Sequence, residues 1–304
     1  MSAGWWTAAG VAAVAALAWA PVLVPRDDIL NFLVLTLLTV TLAQSWNIVA
    51  GYAGQVNLGH AAFFGLGALV TRTLWIAGVP VFLAMAAGAA VAVAFALAVG
   101  GAAFRLRGAY FAIGTLALGE ILRITVGNVL AEISTLPTTA IAGYRLAFRY
   151  WIALGLAALS VATVAVLARS RLGLGMQAIR EDEDAAEATG VGALRLKLTA
   201  LALSTALAGL AGGLFAYYHI SYYPAHPFSP HWTFDALLVT FIGGVGTLHG
   251  PILGAVFYVF LKEYLAIRWV DFHLLIFGAL FVGIVLLLPG GLVQAGARLR
   301  RLAS

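Results

Sequence analysis

Apolar residues run along this chain in long unbroken stretches rather than in alternation. Nine of them approach the roughly 20 residues that a membrane-spanning helix needs: 4–24, 29–50, 57–77, 80–104, 108–130, 150–168, 198–218, 234–261 and 272–289. Continuous runs argue against a membrane barrel, whose strands alternate outward-apolar and inward-polar residues. Ala, Leu, Val and Gly dominate the stretches, and small side chains let helices approach closely in lipid. The pattern predicts an all-α, polytopic transmembrane bundle with about nine hydrophobic segments, including broken or re-entrant helices. It reads as a single transmembrane domain over 1–304, with one soluble loop at 169–197. The first stretch has no basic lead and carries Trp5 and Trp6 as interfacial anchors, so it reads as a spanning helix rather than a cleaved signal.

Composition sharpens this reading. Of 304 residues, 63% are hydrophobic and 10% charged, against roughly 25% charged in soluble domains. Between Ile29 and Phe104 the one charged residue is Arg72. The net charge of +5 comes with no basic domain to bind nucleic acid. The absence of cysteine removes disulfides, thiolate metal sites and thiol catalysis. Basic residues mark cytoplasmic loops. Arg105 and Arg107, then Arg169, Arg171, Arg180, Arg195 and Lys197, then Arg298, Arg300 and Arg301 place three regions inside. The loop 219–233 has no Lys or Arg and reads as periplasmic, as does 131–148 less strongly because of Arg145. Nine full crossings would leave the basic tail outside. The segment 234–261 is the suspect, because GGVGTLHGPILG within it breaks a helix. It is predicted to be two half-helices, at least one of them re-entrant.

Two apolar segments are interrupted by glycine: SWNIVAGYAGQVNLGHAAFFGLG from Ser45 and FIGGVGTLHGPILGA from Phe241. Paired interrupted segments point to a transport pathway. The candidate pathway residues are Gly51, Gly54, Gln55, Asn57, Gly59 and His60 in the first, and Gly243, Gly244 and Gly246 in the second. The competing reading is tight helix crossing, which Gly246, Gly250 and Gly254 fit by spacing. Glu120 and Arg123 lie inside a span, one turn apart. An intramembrane charge suggests function; a local i,i+3 ion pair is the plainer alternative. His219, His226 and His231 share a loop with prolines between them, a spacing that matches no metal pattern. The loop 169–197 predicts a helix from Met176 to Thr189, stopped by Gly190 and Gly192. It is either a solvated helix or a docking element for a cytoplasmic partner.

Taken in order, SWNIVAGYAGQVNLGHAAFFGLGA, LRGAYFAIGTLALGEILR, RLGLGMQAIREDEDAAEATGV and FIGGVGTLHGPILGA resemble the permeases of branched-chain amino-acid ABC importers, specifically the M-type subunit of Liv systems. The resemblance covers about Leu42 to Leu292. Asp184-Ala185-Ala186 followed by Gly190 matches the EAA-x-x-x-G pattern of importer permeases, with Asp in the Glu position. The resemblance implies that Arg180, Asp184, Ala185, Ala186, Glu187 and Gly190 belong to a coupling helix seated in a separate ATPase. It also implies a related H-type second permease, a periplasmic solute-binding protein, a bacterial inner membrane, and ATP and magnesium held by the partner ATPase. The loop after GEILR lacks the Thr-Gly-Gly stretch usual in relatives. Branched-chain amino acids, urea and short amides therefore all stay open as solutes.

The chain has no phosphate loop: Lys197 and Lys262 are its lysines, and neither follows a glycine. No acid, base and nucleophile stand together for a membrane enzyme. The rival reading is a stand-alone channel or ion-coupled carrier, for which Glu120 and Asp235 are the candidate carboxylates.

Overall fold

The computed structural model describes residues 3–23, 26–129, 143–268 and 290–295, with isolated positions between 276 and 286. Most of the predicted segment 272–289, most of the loop 131–148 and the three tail arginines lie outside the described residues. Up to Arg268 the described residues form, in order, α1 (Ala3–Ala18), α2 (Ala20–Leu23), α3 (Asp27–Trp46), α4 (His60–Ile76), α5 (Val81–Ala103), α6 (Ala109–Val129), α7 (Leu146–Ala168), α8 (Arg171–Glu181), α9 (Glu183–Ala188), α10 (Ala193–Tyr218), α11 (Pro230–Gly243) and α12 (Gly250–Arg268). Among the described residues there is no strand. Among the described residues five helices, α3 with its extension to Tyr52, α5, α6, α7 and α10, have the length and hydropathy to cross a membrane alone. The expected count of nine is not confirmed: 4–24 is divided into α1 and α2, 57–77 is helical only from His60, 234–261 is divided into α11 and α12, and most of 272–289 lies outside the described residues.

The core is a triad of α4, α5 and α10, and glycine makes it possible. A Cβ on Gly67 would overlap the Gly209 carbonyl, and one on Gly212 would overlap the Phe64 carbonyl. Backbones this close gain dispersion and weak Cα–H contacts that larger side chains would forbid. Around the triad pack Phe63, Phe64, Met85, Leu201, Leu214 and Phe215.

Two buried arginines hold the far end of α10. Arg72 is 0% and Arg149 1% exposed. Arg72 Nη1 donates to the carbonyls of Ala216 (3.1 Å) and His219 (3.2 Å), and Nη2 to Ile220 (2.9 Å). Arg149 Nε donates to the Tyr217 carbonyl at 2.9 Å, with its guanidinium between the rings of Tyr144 and Tyr217. The last carbonyls of a helix have no intrahelical donor and carry the negative end of its dipole. A planar guanidinium spreads five donors over a rigid fork and so reaches several of them at once, whereas an ammonium offers three donors from a single point. Arg72→Lys is therefore expected to cost about 1–3 kcal/mol, read as a lower melting temperature of the detergent-solubilised protein. Beyond α10, burial lowers His219 and His226 below the ordinary histidine value, so that loop is uncharged at those positions near neutral pH.

The segment 234–261 is an antiparallel helical hairpin. α11 descends from Pro230 and α12 returns alongside it, so that Lys262 meets Asp235 (3.2 Å) and Tyr258 donates to the same carboxylate. α12 therefore ends on the side from which α11 starts, so the predicted pair of helices makes no net crossing, and Gly290 lies against Gly244 at the hairpin tip. A Cβ on Gly254 would overlap the Val239 carbonyl, and one on Gly243 the Gly250 carbonyl. Gly243, Gly250 and Gly254 thus let the legs touch, which is the tight-crossing role.

Candidate functional site: two broken helix tips under a surface helix

The connection between α3 and α4 is broken as well. α3 widens into a π-helical stretch over Asn47–Tyr52, where Ala53 N–H reaches the Ile48 carbonyl at 3.3 Å. Such widened turns commonly mark functional positions. The chain then leaves the helix at Gly54, whose φ of +71° favours glycine, and re-enters at His60. The tip between α11 and α12 turns through Gly244 (φ +130°) and Gly246 (φ +75°).

The two tips are bound to each other. Asn47 Oδ1 accepts from Gly246 N–H at 2.8 Å, and its Nδ2 donates to the Thr247 carbonyl at 3.0 Å. Gln44 Nε2 donates to the Leu248 carbonyl at 2.8 Å. Freed backbone groups at membrane depth must find such partners. A Cβ on Gly51 would stand 2.7 Å from Gly246 N. Below them lies α8. Its Arg180 Nη1 donates to the Gly51 carbonyl at 2.5 Å. The same residue closes on two positive-φ glycines: a Cβ on Gly54 would be 3.0 Å from Arg180 Cα, and one on Gly246 would overlap Nη1. Arg180 thus touches both tips.

The remaining predicted pathway residues divide. Gln55 is half-buried and lines a cleft of about 330 Å³ with Gly54, Val56, Arg107, Gly108, Ala112 and Glu183. Asn57 is buried and turns its Oδ1 onto Gly59 N–H at 2.8 Å, while its own carbonyl accepts from Trp46 Nε1. His60 is buried, with Nε2 2.8 Å from Ser45 Oγ. Gly59 sits where a Cβ would overlap the Thr115 carbonyl of α6. Asn57, Gly59 and His60 therefore shape the break, whereas Gln55 opens to the cleft.

The loop 169–197 is two helices rather than one from Met176 to Thr189. Ser170 caps α8 by accepting from Gly173 N–H, and Asp182 interrupts the helix to cap α9, accepting from Ala185 N–H at 2.9 Å. α9 ends in a Schellman motif: Gly190 (φ +88°) bonds Glu187, and Val191 N–H reaches the Ala186 carbonyl. Asp184, Ala185 and Glu187 are exposed, and Asp184 pairs with Arg107 at 3.3 Å. Ala186 is 5% exposed and packs against Ile179 and Ala193. Lys197, buried at the start of α10, ties Glu183 at 2.5 Å. Arg180 is exposed, and its guanidinium reaches the Gly51 carbonyl of the first tip.

The carboxylates weighed for ion coupling are neutralised. Glu120 meets Arg123 in a two-bond pair (2.8 and 2.5 Å). Asp235 accepts from Tyr258 and lies within 3.3 Å of both Lys262 and His231. Among the described residues no cluster of three His, Cys, Asp or Glu side chains is placed to hold a metal.

A family model described as "Branched-chain amino acid transport system / permease component" matches residues 28–285. The chain belongs to that family. It is a permease component, multi-pass and helical. Two curated relatives are the high-affinity branched-chain amino acid transport system permease proteins LivM of Escherichia coli K12 and Salmonella typhimurium LT2. Each is 30% identical over 313 residues, covering 92% of this chain and 73% of the relative. No solved structure matches. The matched range contains both broken tips, α8 and α9.

Proposed function

We propose that this chain is the membrane-spanning half of an ATP-driven importer of branched-chain amino acids in a bacterial inner membrane. The observation that carries the reading is the meeting of two glycine-broken helix tips on a helix, α8, that also faces the surface. Broken backbone supplies dipoles for a polar solute without a deep binding well. A separate ATPase, holding ATP and magnesium, would seat α8 and α9 in a groove. A related second permease would complete the path, and a periplasmic binding protein would deliver the solute. The basic residues at the α8–α9 end, Arg105, Arg107, Arg169, Arg171 and Arg195, support a cytoplasmic placement of that end.

The test is co-purification from native membranes, followed by measurement of leucine-stimulated ATP hydrolysis. An ATPase chain should accompany this one, and leucine should stimulate it; a chain that purifies alone and conducts leucine without ATP would make it a stand-alone channel. The docking surface is tested separately. Ala185→Trp is expected to reduce ATPase association by roughly tenfold or more, because an exposed small residue at a packed interface tolerates no indole. Ala186→Trp should instead disturb the α8–α9 corner itself, since that side chain faces inward. Normal ATPase retention by Ala185→Trp would place the docking surface elsewhere.

A further inference from the structure

The Glu120–Arg123 pair sits midway along α6, and neither side chain is buried: Arg123 is 37% and Glu120 39% exposed. Ile113, Ile121 and Ile124 around it are open and apolar. An ion pair turned toward hydrocarbon at mid-depth is costly, and such residues face protein or a watery path. α6 is also the helix against which the first broken tip rests. Thr115 Oγ1 accepts from Leu58 N–H at 3.1 Å, and a Cβ on Gly119 would be 3.5 Å from Gly59 Cα. Counting along the helix, Ala112, Glu120, Arg123 and Gly127 share one flank. Ala112 lines the cleft beside Gln55, and Gly127 approaches Ala225 in the loop at the opposite end. The pair therefore stands on a line running from one face of the bundle to the other.

We infer that Glu120 and Arg123 form a solute-facing subsite for the zwitterionic head of an α-amino acid. The inference rests on the importer reading and names the part of the path that meets charge. An amino-acid head carries a carboxylate and an ammonium one carbon apart. Arg123 presents two N–H donors to the first, and Glu120 an acceptor to the second. Without solute the two residues neutralise each other, so neither charge is stranded. A passing zwitterion exchanges partners with them and leaves again, because the internal pair competes for it. This gives passage with weak binding, as a conducting path requires.

The experiment uses the full transporter with its partner chains in lipid. Glu120→Cys and Arg123→Cys are treated with a charged methanethiosulfonate reagent, and Ile121→Cys serves as the lipid-facing control. This chain has no native cysteine. The first two should react, and more slowly when leucine is present; Ile121→Cys should not react. Absence of reaction at both sites in an assembled transporter, or reaction that leucine leaves unchanged, would overturn the subsite. Leucine uptake then separates solute contact from plain structure. Glu120→Gln with Arg123→Gln, and the swapped pair Glu120→Arg with Arg123→Glu, should each lose roughly tenfold or more of uptake at unchanged assembly. Full uptake by the swapped pair, or loss of assembly in both, would mean a structural or subunit contact instead. A wild-type transporter that takes up no leucine would refute the importer reading while leaving the thiol accessibility of the two positions to be judged on its own.

Discussion

Arg180→Ala is expected to leave the transporter assembled and hydrolysing ATP while leucine uptake falls by roughly tenfold to a hundredfold. That range follows from one charge-assisted hydrogen bond of about 1.5–3 kcal/mol. The reason lies in the two places Arg180 joins. Its backbone belongs to α8, the helix proposed to receive the ATPase, and its guanidinium holds the Gly51 carbonyl while lying against Gly246. Movement of α8 then pulls one tip directly and pushes on the other. Alanine keeps the helix, because its propensity is higher than that of arginine, but removes the contact with both tips. Lysine reaches the Gly51 carbonyl as a point donor without the fork, so Arg180→Lys should recover part of the uptake. The decisive quantity is solute moved per ATP hydrolysed in reconstituted vesicles. A variant with the wild-type ratio would show that α8 drives the tips by another route.

How far the sequence foretold this arrangement depended on which physical signal carried each part. The five long spans follow from hydropathy alone, which is strong where every backbone bond must be internal. The hairpin of α11 and α12 was legible as a conflict: basic residues put the tail inside, and a glycine-rich run offered the place to turn. Glycine also marked both breaks. The pairing of the breaks was not legible. It is made by Gln44 and Asn47, two amides near the end of an apolar helix, whose partners lie about 200 residues away in the chain. The one signal for Asn47 was a polar side chain inside a span, four positions before Gly51, where an i,i+4 neighbour must matter. Ser170 and Asp182 are caps that sequence could have named; the acidic run around Asp182 read instead as one continuous helix. Nothing in the pattern told that Ala186 would face inward and Ala185 outward, because a short helix on the surface of a bundle has no long apolar stripe to fix its rotation. Arg72 stood out as a lone charge, but its targets are the end carbonyls of a helix more than 140 positions on.

Gly51→Ala is expected to abolish most uptake, although it adds a single methyl to a helix. The added Cβ would overlap Asn47 Oδ1 and stand 2.7 Å from Gly246 N. The side chain of Asn47 could turn away, but Gly246 N is backbone and moves only with its whole tip. Turning Asn47 away also strands the Gly246 N–H and the Thr247 carbonyl, at about 1–3 kcal/mol for each buried group left unmade. Separating the tips carries the Gly51 carbonyl away from Arg180, so the same methyl weakens the link to α8. Overpacking a close contact costs about 1–3 kcal/mol by itself, and the combined loss exceeds the gain of about 0.5–1 kcal/mol that alanine brings to a helix. Gly155→Ala is the matched control, since that glycine lies inside α7 with open space around its Cβ position; it should transport normally and be no less stable. Uptake measured against the amount of assembled complex separates a jammed tip from a failed fold. If Gly51→Ala and Gly155→Ala transport alike at equal assembly, contact between the two broken tips is not what the transport cycle depends on.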